Sequence, residues 1–414
     1  MITVKAKDIK SVIKLFKAMN VNRSKEFKDD YYSNILKFDY SYGSLRIYGV
    51  TCGGMRKLLK YIPAECDNEV SDGECAITFF VKLSDLSDAM SGISNKEDID
   101  FDVGEDLVKE IREGVIKLKV GNSNSYFKLS VPSIDDSQFD IQDDGFYFSC
   151  YCSSHDLLRA IQNVVFATSP KLKYLDVVHI YSDEESKSII LEATDSVVLS
   201  RDYLFVENFM NKSDRKINIF IPSDVAIFMK NSLLKGTSDF VAFEVFHEDG
   251  TDKSSIVFVG EDWSFYSYYP YDSVYPNIDR LFADNNYKNI NIIKFNVSNF
   301  INILNILPNR KGNQFPVHLC INRNPDDEDN YHGKCIHLIP NVLSMEFDFE
   351  VPLVEEHGHW ETPIYDANVL KKVIGSFASC NTVEIHSNDA TSPMLVKSPE
   401  SEHLCLMMPM RDKN

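Results

Sequence analysis

The last residues of the sequence read Ser392-Pro393-Met394-Leu395-Val396-Lys397 and, after a polar turn, Leu406-Met407-Met408-Pro409-Met410-Arg411. The two apolar stretches are joined by Ser398-Pro399-Glu400-Ser401-Glu402, a pattern that predicts a β-hairpin. Because most chain ends are polar and frayed, this apolar ending predicts a segment docked on the body of the protein. Its methionines are either ordinary core or the soft, adaptable surface with which proteins bind several partners.

The composition is that of an ordinary globular protein. The 414 residues are 44% hydrophobic and 25% charged, and this length allows two to four domains with well-formed cores. The sequence contains no run of about 18 uncharged apolar residues, so no membrane span is predicted. The segment Met1-Ile2-Thr3-Val4-Lys5 alternates like a strand and has no signal-peptide pattern. We therefore expect no membrane association and a cytoplasmic location.

The nine cysteines are scattered along the sequence, and only Cys150 and Cys152 lie close together. Without a CxxC pair, this distribution favours reduced thiols over a disulfide framework or a zinc site.

The formal net charge of −19 argues against nucleic-acid binding when it is taken alone. The distribution of charge is more informative. Residues 285–325 contain no Asp or Glu but include Lys288, Lys294, Arg310, Lys311 and Arg323. Acidic residues concentrate elsewhere, as in 135–144 and 326–329. Such segregation predicts one basic surface on an otherwise acidic body.

The sequence divides into three similar thirds, which predict repeated domains rather than a solenoid. Each third opens with an alternating strand and an amphipathic helix, continues through short strands and contains a second helix. The predicted opening helices are Lys7 to Met19, Ser154 to Ala167 and Ser298 to Leu307, with serine as a helix N-cap in the second and third. The predicted second helices are Leu83 to Ile93, Ser223 to Leu234 and Ala367 to Phe377.

The polar stretches Asp135 to Gly145 and Ala283 to Asn289 are typical of linkers. The predicted domains are residues 1–142, 143–285 and 286–414. Short alternating strands with two helices per domain predict an α+β fold, with the helices gathered on one face of the sheets.

The first helix carries the most informative charge pattern. Lysines at 7, 10, 14 and 17 share one helical face, and only Asp8 interrupts them. Exposed helix faces commonly mix charges of both signs, so this face is either a solvated surface or a contact for a polyanion.

Several kinds of chemistry lack a motif in this sequence. No Walker loop, GxSxG elbow or HExxH motif occurs, and nothing indicates a nucleophile or a cofactor. His357-Gly358-His359 beside Glu355 and Glu356 is more typical of a solvated loop than of a metal site. Residues 326–329 lack the spacing of a calcium loop. We therefore expect neither an enzyme, nor a cofactor, nor a metal.

The sequence resembles the bacterial DNA polymerase III β subunit, the sliding clamp, over nearly its whole length. The ending above resembles the family's Met-Pro-Met-Arg C-terminus. Tyr126 to Pro132 followed by Gln138-Phe139 resembles the exit from the first domain. Ala193-Thr194-Asp195 with Leu199, and Tyr275 to Leu281, resemble two segments of the second domain.

The resemblance implies a closed ring in which two copies, with three clamp domains each, join head to tail. Helices would line the hole, and antiparallel sheets would form the rim. The implied partners are double-stranded DNA held without base reading, DNA polymerase and other proteins with clamp-binding peptides, and an ATP-driven clamp loader.

The resemblance also implies two sets of site residues. The first set would form a hydrophobic pocket for partner peptides: Leu175, Thr194, Leu199, Pro276, Arg280, Leu281, Ser392, Met408, Pro409, Met410 and Arg411. The second set consists of cations expected to face DNA: Lys7, Lys10, Lys14, Lys17, Arg159, Lys173, Lys230, Lys235, Arg310, Lys311, Lys371 and Lys372.

The chain departs from the family pattern at several positions. Ser196-Val197-Val198 stands where the family has Gly-His-Arg, so the preferred peptide is expected to differ. Asp366 and Val369 replace a common Asn and an aromatic residue, Asp412-Lys413-Asn414 extends the usual ending, and extra residues fall between Asn322 and Trp360. Such divergence fits a clamp encoded by a phage or a mobile element.

Two other functions are compatible with the sequence. One is a clamp-fold interaction protein, or decoy, that captures clamp-binding proteins without encircling DNA. The other is an unrelated hydrolase that uses carboxylates such as Glu355 and Glu356.

Overall fold

The structure is a computed structural model. It describes residues 1–20, 30–67, 77–103, 114–121, 125–132, 134–141, 146–183, 185–212, 216–236, 239–247, 254–269, 275–282, 291–307, 314–321, 335–341 and 347–411.

The chain divides into two compact units. The first comprises Met1–Leu158 with Val206–Tyr271, and the second comprises Arg159–Phe205 with Asp272–Asn414. The division into three domains at 1–142, 143–285 and 286–414 stays a prediction.

The helices are α1 (Ala6–Asn20), α2 (Leu83–Met90), α3 (Ser154–Val165), α4 (Ser223–Phe228), α5 (Asp279–Phe282), α6 (Val297–Ile306) and α7 (Ala367–Gly375). A π-helical turn, Met229–Leu233, continues α4. Short 3-10 turns occur at Tyr31–Asn34, Asp136–Phe139 and Lys173–Leu175.

The strands of the first half are β1 (Ile2–Lys5), β2 (Ile35–Ser41), β3 (Ser44–Thr51), β4 (Arg56–Pro63), β5 (Glu65–Cys66), β6 (Ile77–Lys82), β7 (Asp98–Asp102), β8 (Gly114–Val120), β9 (Tyr126–Val131), β10 (Phe148–Ser153), β11 (Val177–Asp183), β12 (Ser188–Thr194), β13 (Val198–Phe205) and β14 (Glu207–Asn211). Those of the second half are β15 (Asn218–Pro222), β16 (Phe240–His247), β17 (Ser254–Val259), β18 (Trp263–Tyr268), β19 (Asn291–Asn296), β20 (Pro316–Ile321), β21 (Cys335–Pro340), β22 (Phe349–His357), β23 (Ile364–Asp366), β24 (Thr382–Ser387), β25 (Met394–Ser398) and β26 (Ser401–Met407).

The first unit contains two antiparallel sheets. A five-stranded sheet has the order β5-β1-β7-β8-β9, and a nine-stranded sheet has the order β14-β10-β16-β17-β18-β4-β3-β2-β6. Phe38 stacks on Phe79 with ring centroids 4.9 Å apart, and Phe101 lies 5.6 Å from each ring. Burial of these aromatic faces provides much of the packing in this part of the core.

The second unit contains strands in the antiparallel order β11-β12-β13-β26-β25-β24-β19-β22-β21-β20-β23. The junction between β13 and β26 pairs Leu199 with Leu406 and Arg201 with Leu404. This pairing joins the middle of the sequence to its end, so the predicted apolar ending is an integral strand of the sheet. The helices and antiparallel sheets together confirm the predicted α+β fold.

Helix α1 shows why the periodic pattern produces a packed helix. Its apolar face, which includes Ile9, Val12 and Phe16, is buried. Phe16 packs on β3 where Gly49 lacks a side chain, since a Cβ atom at Gly49 would lie 2.3 Å from the Phe16 ring. The absence of that atom lets the helix approach the sheet closely.

The predicted helices exist, but several ends differ. Helix α6 is capped by Asn296, whose side-chain oxygen accepts from Asn299 N at 3.1 Å, so Ser298 is a helical residue and not the N-cap. In α3 the predicted serine cap fits better, because Ser153 Oγ accepts from Asp156 N at 3.4 Å. The short helix α5 was not predicted, since four residues carry too little periodicity.

The predicted terminal hairpin forms, but its second strand covers other residues than predicted. The turn is shorter than predicted, since β26 begins at Ser401 and ends at Met407. Pro409 has no N–H to donate, so the ladder does not continue through the predicted strand end at Arg411.

Among the residues that the structure describes, no helix is long and apolar enough to cross a membrane. The cysteines of this part of the chain are free thiols, and Cys150 and Cys152 are buried.

Candidate functional site

An apolar cavity of about 600 Å³ lies within the second unit. Its floor is a small core of Leu199, Ile278 and Leu406, on which Tyr275 and Leu395 pack. The complete lining is Tyr174, Leu175, Thr194, Ser196, Val197, Val198, Leu199, Pro276, Ile278, Leu281, Asn388, Ser392, Pro393, Leu406 and Met408. An apolar concavity of this size is typical of a binding site for a small ligand or a few side chains.

The turn between β12 and β13 forms one wall of the cavity. Thr194 Oγ1 donates to Val198 O at 2.8 Å and accepts from Ser196 N at 3.1 Å. Asp195 Oδ1 accepts from Val197 N at 2.9 Å and from Val198 N at 2.8 Å. These bonds hold the turn in one conformation, although Ser196 has a left-handed φ of 76°.

The end of β26 is fixed against that turn. Met408 N donates to Val197 O at 2.9 Å, and Met410 N donates to Ile364 O at 2.8 Å. The Met408 side chain remains 43% exposed at the cavity. The backbone is thus anchored while the thioether side chain stays able to adapt to a guest.

Residues 388–393 close another side through a carboxylate-centred turn. Asp389 accepts from Thr391 N at 2.7 Å, and its other oxygen accepts from Ser392 Oγ at 2.8 Å. Hydrogen bonds from the side chains of Thr391 and Ser392, with those from their backbone, lower the pKa of Asp389 to about 2. Asp389 therefore stays ionised, and Ser392 is oriented by it, throughout the neutral range.

The segment 275–282 supplies Pro276, Ile278 and Leu281 to the cavity. Arg201 supports this segment from the sheet, with Nη2 2.8 Å from Glu192 and 2.7 Å from Asp279. Arg201 also lies over the Phe282 ring, 4.5 Å from its centroid. Because the Arg201 and Glu192 side chains are only 6% and 3% exposed, their ion pair lies in a medium that screens it weakly, whereas Asp279 is 71% exposed.

Aromatic groups enclose the same network. His179 Nδ1 lies 2.8 Å from Glu192 Oε1, and Tyr181 donates to Glu192 Oε2 at 3.2 Å. The His179 ring stacks on Tyr181 at 4.8 Å and contacts Tyr275 at 4.7 Å. Burial, reinforced by the charge of Glu192, raises the pKa of both Tyr181 and Tyr275, so their hydroxyl groups remain neutral.

The structure brings most of the predicted pocket residues together. The cavity is lined by Leu175, Thr194, Leu199, Pro276, Leu281, Ser392 and Met408. Arg280, Pro409, Met410 and Arg411 do not line it. Arg280 and Arg411 are exposed next to or near lining residues, whereas Pro409 and Met410 are half-buried.

Sequence reasoning missed several lining residues, namely Tyr174, Ile278, Asn388, Pro393 and Leu406. Ile278 and Leu406 lie within segments that carried the resemblance, so a strand or turn assignment would have found them. Tyr174 and Asn388 belong to turns with no recognisable periodicity, and only the three-dimensional structure brings them to the cavity.

The lysines of α1 differ in their surroundings. Lys7, Lys14 and Lys17 are exposed, and Lys10 is half-buried. Lys10 Nζ donates to Ile93 O, and Lys17 Nζ donates to Ser87 Oγ of α2. Both contacts are made to uncharged acceptors.

A second, polar cavity of about 470 Å³ in the first unit is lined by Lys14 of α1 and by Lys235. Lys60 lines it too and pairs with Asp262 at 2.5 Å. The predicted Lys230 is half-buried.

The predicted cations of the second unit are not equivalent. Lys173, Lys371 and Lys372 are exposed. Arg159 instead donates to both oxygens of Asp202, at 3.0 and 2.8 Å, and the Asp202 side chain is fully buried. Asp202 thereby largely compensates the charge of Arg159 within the protein. Arg310 and Lys311 lie outside the described residues, as do Lys288, Arg323 and residues 326–329.

The exposed face of α6 carries no charge. It presents Ser298, Asn299, Asn302 and Asn305. The basic helix face of α1 is thus not repeated in α6.

The histidine loop has a local partner. His357 Nε2 lies 2.7 Å from Glu355 Oε1, with both side chains exposed. Within the described ranges, no three His, Cys, Asp or Glu side chains group as metal ligands.

The fold over the whole chain is that of the bacterial DNA sliding clamp. The DNA polymerase sliding clamp of Bacillus subtilis matches with a TM-score of 0.77 at 16% identity, covering 99% of each chain. DNA polymerase III subunit β from Pseudomonas aeruginosa matches with a TM-score of 0.74 at 17% identity, covering 100% of each chain. The resemblance seen in the sequence is therefore confirmed at the level of the fold.

A further solved relative is a sliding clamp from Pseudomonas aeruginosa bound to griselimycin, with a TM-score of 0.74 at 16% identity, covering 99% of each chain. No protein-family model matches this chain, and no curated protein matches it in sequence.

Proposed function

We propose that this protein is a DNA sliding clamp and processivity factor. Two copies would close head to tail around duplex DNA, and an ATP-driven loader would open the ring. The observation that carries this proposal is the apolar cavity. Its lining includes seven of the eleven residues that the resemblance assigned to the peptide site, and the chain that forms it has the clamp fold. The proposed role is topological and needs no catalytic group.

In this proposal the cavity tethers DNA polymerase and other clients by a short peptide. Exposed apolar side chains from separate segments surround it: Tyr174, Val197, Leu281 and Met408. Their burial by apolar anchors would stabilise the complex by about 25 cal/mol for each Å² removed from water. Fixed polar turns around them would set the direction of the peptide.

The proposed DNA contact is electrostatic and independent of sequence. The lysine face of α1, with Lys235, Lys371 and Lys372, would approach phosphates without reading bases. Encirclement allows each contact to be weak, because the ring cannot dissociate without opening.

The direct test of the pocket is the binding of a fluorescent Gln-Leu-Ser-Leu-Phe peptide, measured by anisotropy. We expect saturable binding that Met408→Ala weakens, since this truncation removes an adaptable apolar wall. Met210→Ala is a matched control, because Met210 is 48% exposed but lies outside the cavity. Absence of binding, or equal weakening by both variants, would contradict a partner pocket at this site.

A second function is favoured by a specific observation, namely that exposed basic side chains are distributed unevenly over the helices. Asp202 compensates Arg159, and α6 exposes amides rather than lysines. With a net charge of −19, these features support a clamp-fold interaction protein that captures clamp-binding proteins without encircling DNA. Such a protein would keep the peptide site but lose retention on DNA.

A further inference from the structure

We propose that the cavity selects peptides whose anchoring core is uncharged and that it rejects a carboxylate in this core. We further propose that Val197 sets this preference. The inference rests on the proposed peptide-binding function and specifies its ligand class.

The lining itself carries no formal charge. It consists of apolar side chains together with Tyr174, Thr194, Ser196, Asn388 and Ser392. A carboxylate entering this cavity would lose water without meeting a lysine or an arginine on the wall. Removal of an unpaired charge from water costs far more than burial of a neutral amide of the same shape.

Several polar groups of the wall are already engaged. Thr194 Oγ1 is bonded within its own turn, and Ser392 Oγ donates to Asp389 at 2.8 Å. The backbone N–H groups of Val197 and Val198 donate to Asp195. A guest carboxylate would therefore find these particular donors occupied by carboxylates of the protein.

Charged groups of both signs lie near the lining without belonging to it. Asp195 and Asp389 adjoin lining positions, and the exposed Lys173, Arg280 and Arg411 lie one, one and three residues from Tyr174, Leu281 and Met408. The preference for a neutral peptide core therefore rests on the uncharged lining and its occupied donors, where a buried carboxylate would lack a partner.

Val197 is the lining position at which this chemistry is easiest to change. Its side chain is 45% exposed, while its backbone is fixed by Asp195 on one side and by Met408 N on the other. Substitution there changes the chemistry of the wall without opening the core. A long cation at this position would supply the partner that a guest carboxylate lacks.

The test compares the peptides Gln-Leu-Asn-Leu-Phe and Gln-Leu-Asp-Leu-Phe, which differ by a charge at nearly constant shape. We expect the Asp peptide to bind at least about tenfold more weakly, which corresponds to about 1.4 kcal/mol. Equal affinities would overturn the inference alone. Failure of both peptides and of Gln-Leu-Ser-Leu-Phe would overturn the proposed peptide site and this inference with it.

The variant Val197→Arg then tests whether Val197 sets the preference for the uncharged peptide. We expect it to reduce the ratio between the two affinities to less than about threefold, through a charge-assisted contact with the Asp peptide. Val354→Arg is the matched control, because Val354 is an exposed valine of the same unit outside the cavity lining and should leave the ratio unchanged. An unchanged ratio in Val197→Arg would remove Val197 from the selection.

Discussion

Ser196 occupies a backbone conformation that L-residues rarely adopt. Its φ of 76° lies in the left-handed region, where a Cβ atom crowds the backbone at a cost of about 1–2 kcal/mol. Hydrogen bonds from Ser196 N and from the two following N–H groups hold it there. The family to which the sequence is similar has glycine at this position, which such a turn favours.

We expect Ser196→Gly to raise the free energy of unfolding by about 0.5–1 kcal/mol, since the strain at φ > 0 disappears while the turn remains. Denaturant unfolding measures this change. Ser298→Gly, at an exposed position inside α6, should instead lower the free energy of unfolding. A destabilised Ser196→Gly would show that the serine side chain makes a compensating contact.

His403 is a buried histidine whose partners suit the neutral ring. Its Nδ1 lies 3.1 Å from Arg201 O, a group that can only accept, so this nitrogen carries the proton. Its Nε2 lies 2.9 Å from Ser376 Oγ and 3.4 Å from Cys405 Sγ. Burial lowers the pKa of His403 to about 4.

This lowered pKa predicts acid sensitivity in a defined range. The unfolded chain binds a proton near pH 6.5 and the folded chain only near pH 4, so stability falls as the pH drops between these values. We expect a loss of about 2 kcal/mol in the free energy of unfolding from pH 7 to pH 5. The measurement is denaturant unfolding at each pH.

His403→Gln should remove most of this pH dependence, whereas His359→Gln, at an exposed histidine, should keep it. A wild-type protein as stable at pH 5 as at pH 7 would contradict a neutral, buried His403.

At the scale of elements, the position of α5 depends on one side chain of the sheet. Arg201, on β13, joins Glu192 of β12 to Asp279 at the first turn of α5. The strongly buried half of the network is costly to alter, because removal of Arg201 would leave Glu192 buried without its partner. Asp279 is 71% exposed and can be changed with less effect on the fold.

We expect Asp279→Asn to weaken peptide binding severalfold, because α5 would hold Ile278 and Leu281 less firmly at the cavity. The free energy of unfolding should change by less than about 1 kcal/mol, since an exposed ion-pair partner contributes little. Anisotropy and denaturant unfolding provide the two measurements. Asp262→Asn, in another half-exposed ion pair, should not affect binding, and unchanged affinity in Asp279→Asn would exclude the support role.

The elements show what the sequence could predict. The periodicity of α1, α3 and α7 determined their existence because each buries one apolar stripe. The ends of helices and strands were less predictable. Helix α6 is capped by Asn296 rather than by serine, and the hydrogen-bond ladder of β26 stops before Pro409. The compensation of Arg159 by Asp202 joins residues far apart in sequence, which no local pattern reveals.

At the scale of the whole molecule, a fold can be shared at 16% identity because it depends on the pattern of apolar positions more than on particular residues. Recognition depends instead on a few side chains, and these differ here. Ser196-Val197-Val198 makes one wall of the cavity neutral, and α6 lacks lysine. The fold was therefore predictable from the resemblance, whereas the proposed ligand preference could be argued only from the lining of the cavity.

The lysine face of α1 would contact DNA in a sliding clamp, so reversal of its charge should weaken that contact. Changing Lys10, Lys14 and Lys17 to Glu should weaken retention on loaded circular DNA without affecting assembly. The slope of log affinity against log salt should fall by about 3 if all three lysines touch phosphates. The triple change Lys96→Glu, Lys187→Glu and Lys216→Glu alters the net charge equally at exposed sites elsewhere and should leave retention intact.

The most direct test of the central claim is cryo-electron microscopy of the purified protein at micromolar concentration. Each chain has a mass of 47.3 kDa. The clamp account predicts closed particles of two chains around a central hole wide enough for duplex DNA. Single-chain particles without a hole would contradict that account and favour the interaction protein that does not encircle DNA.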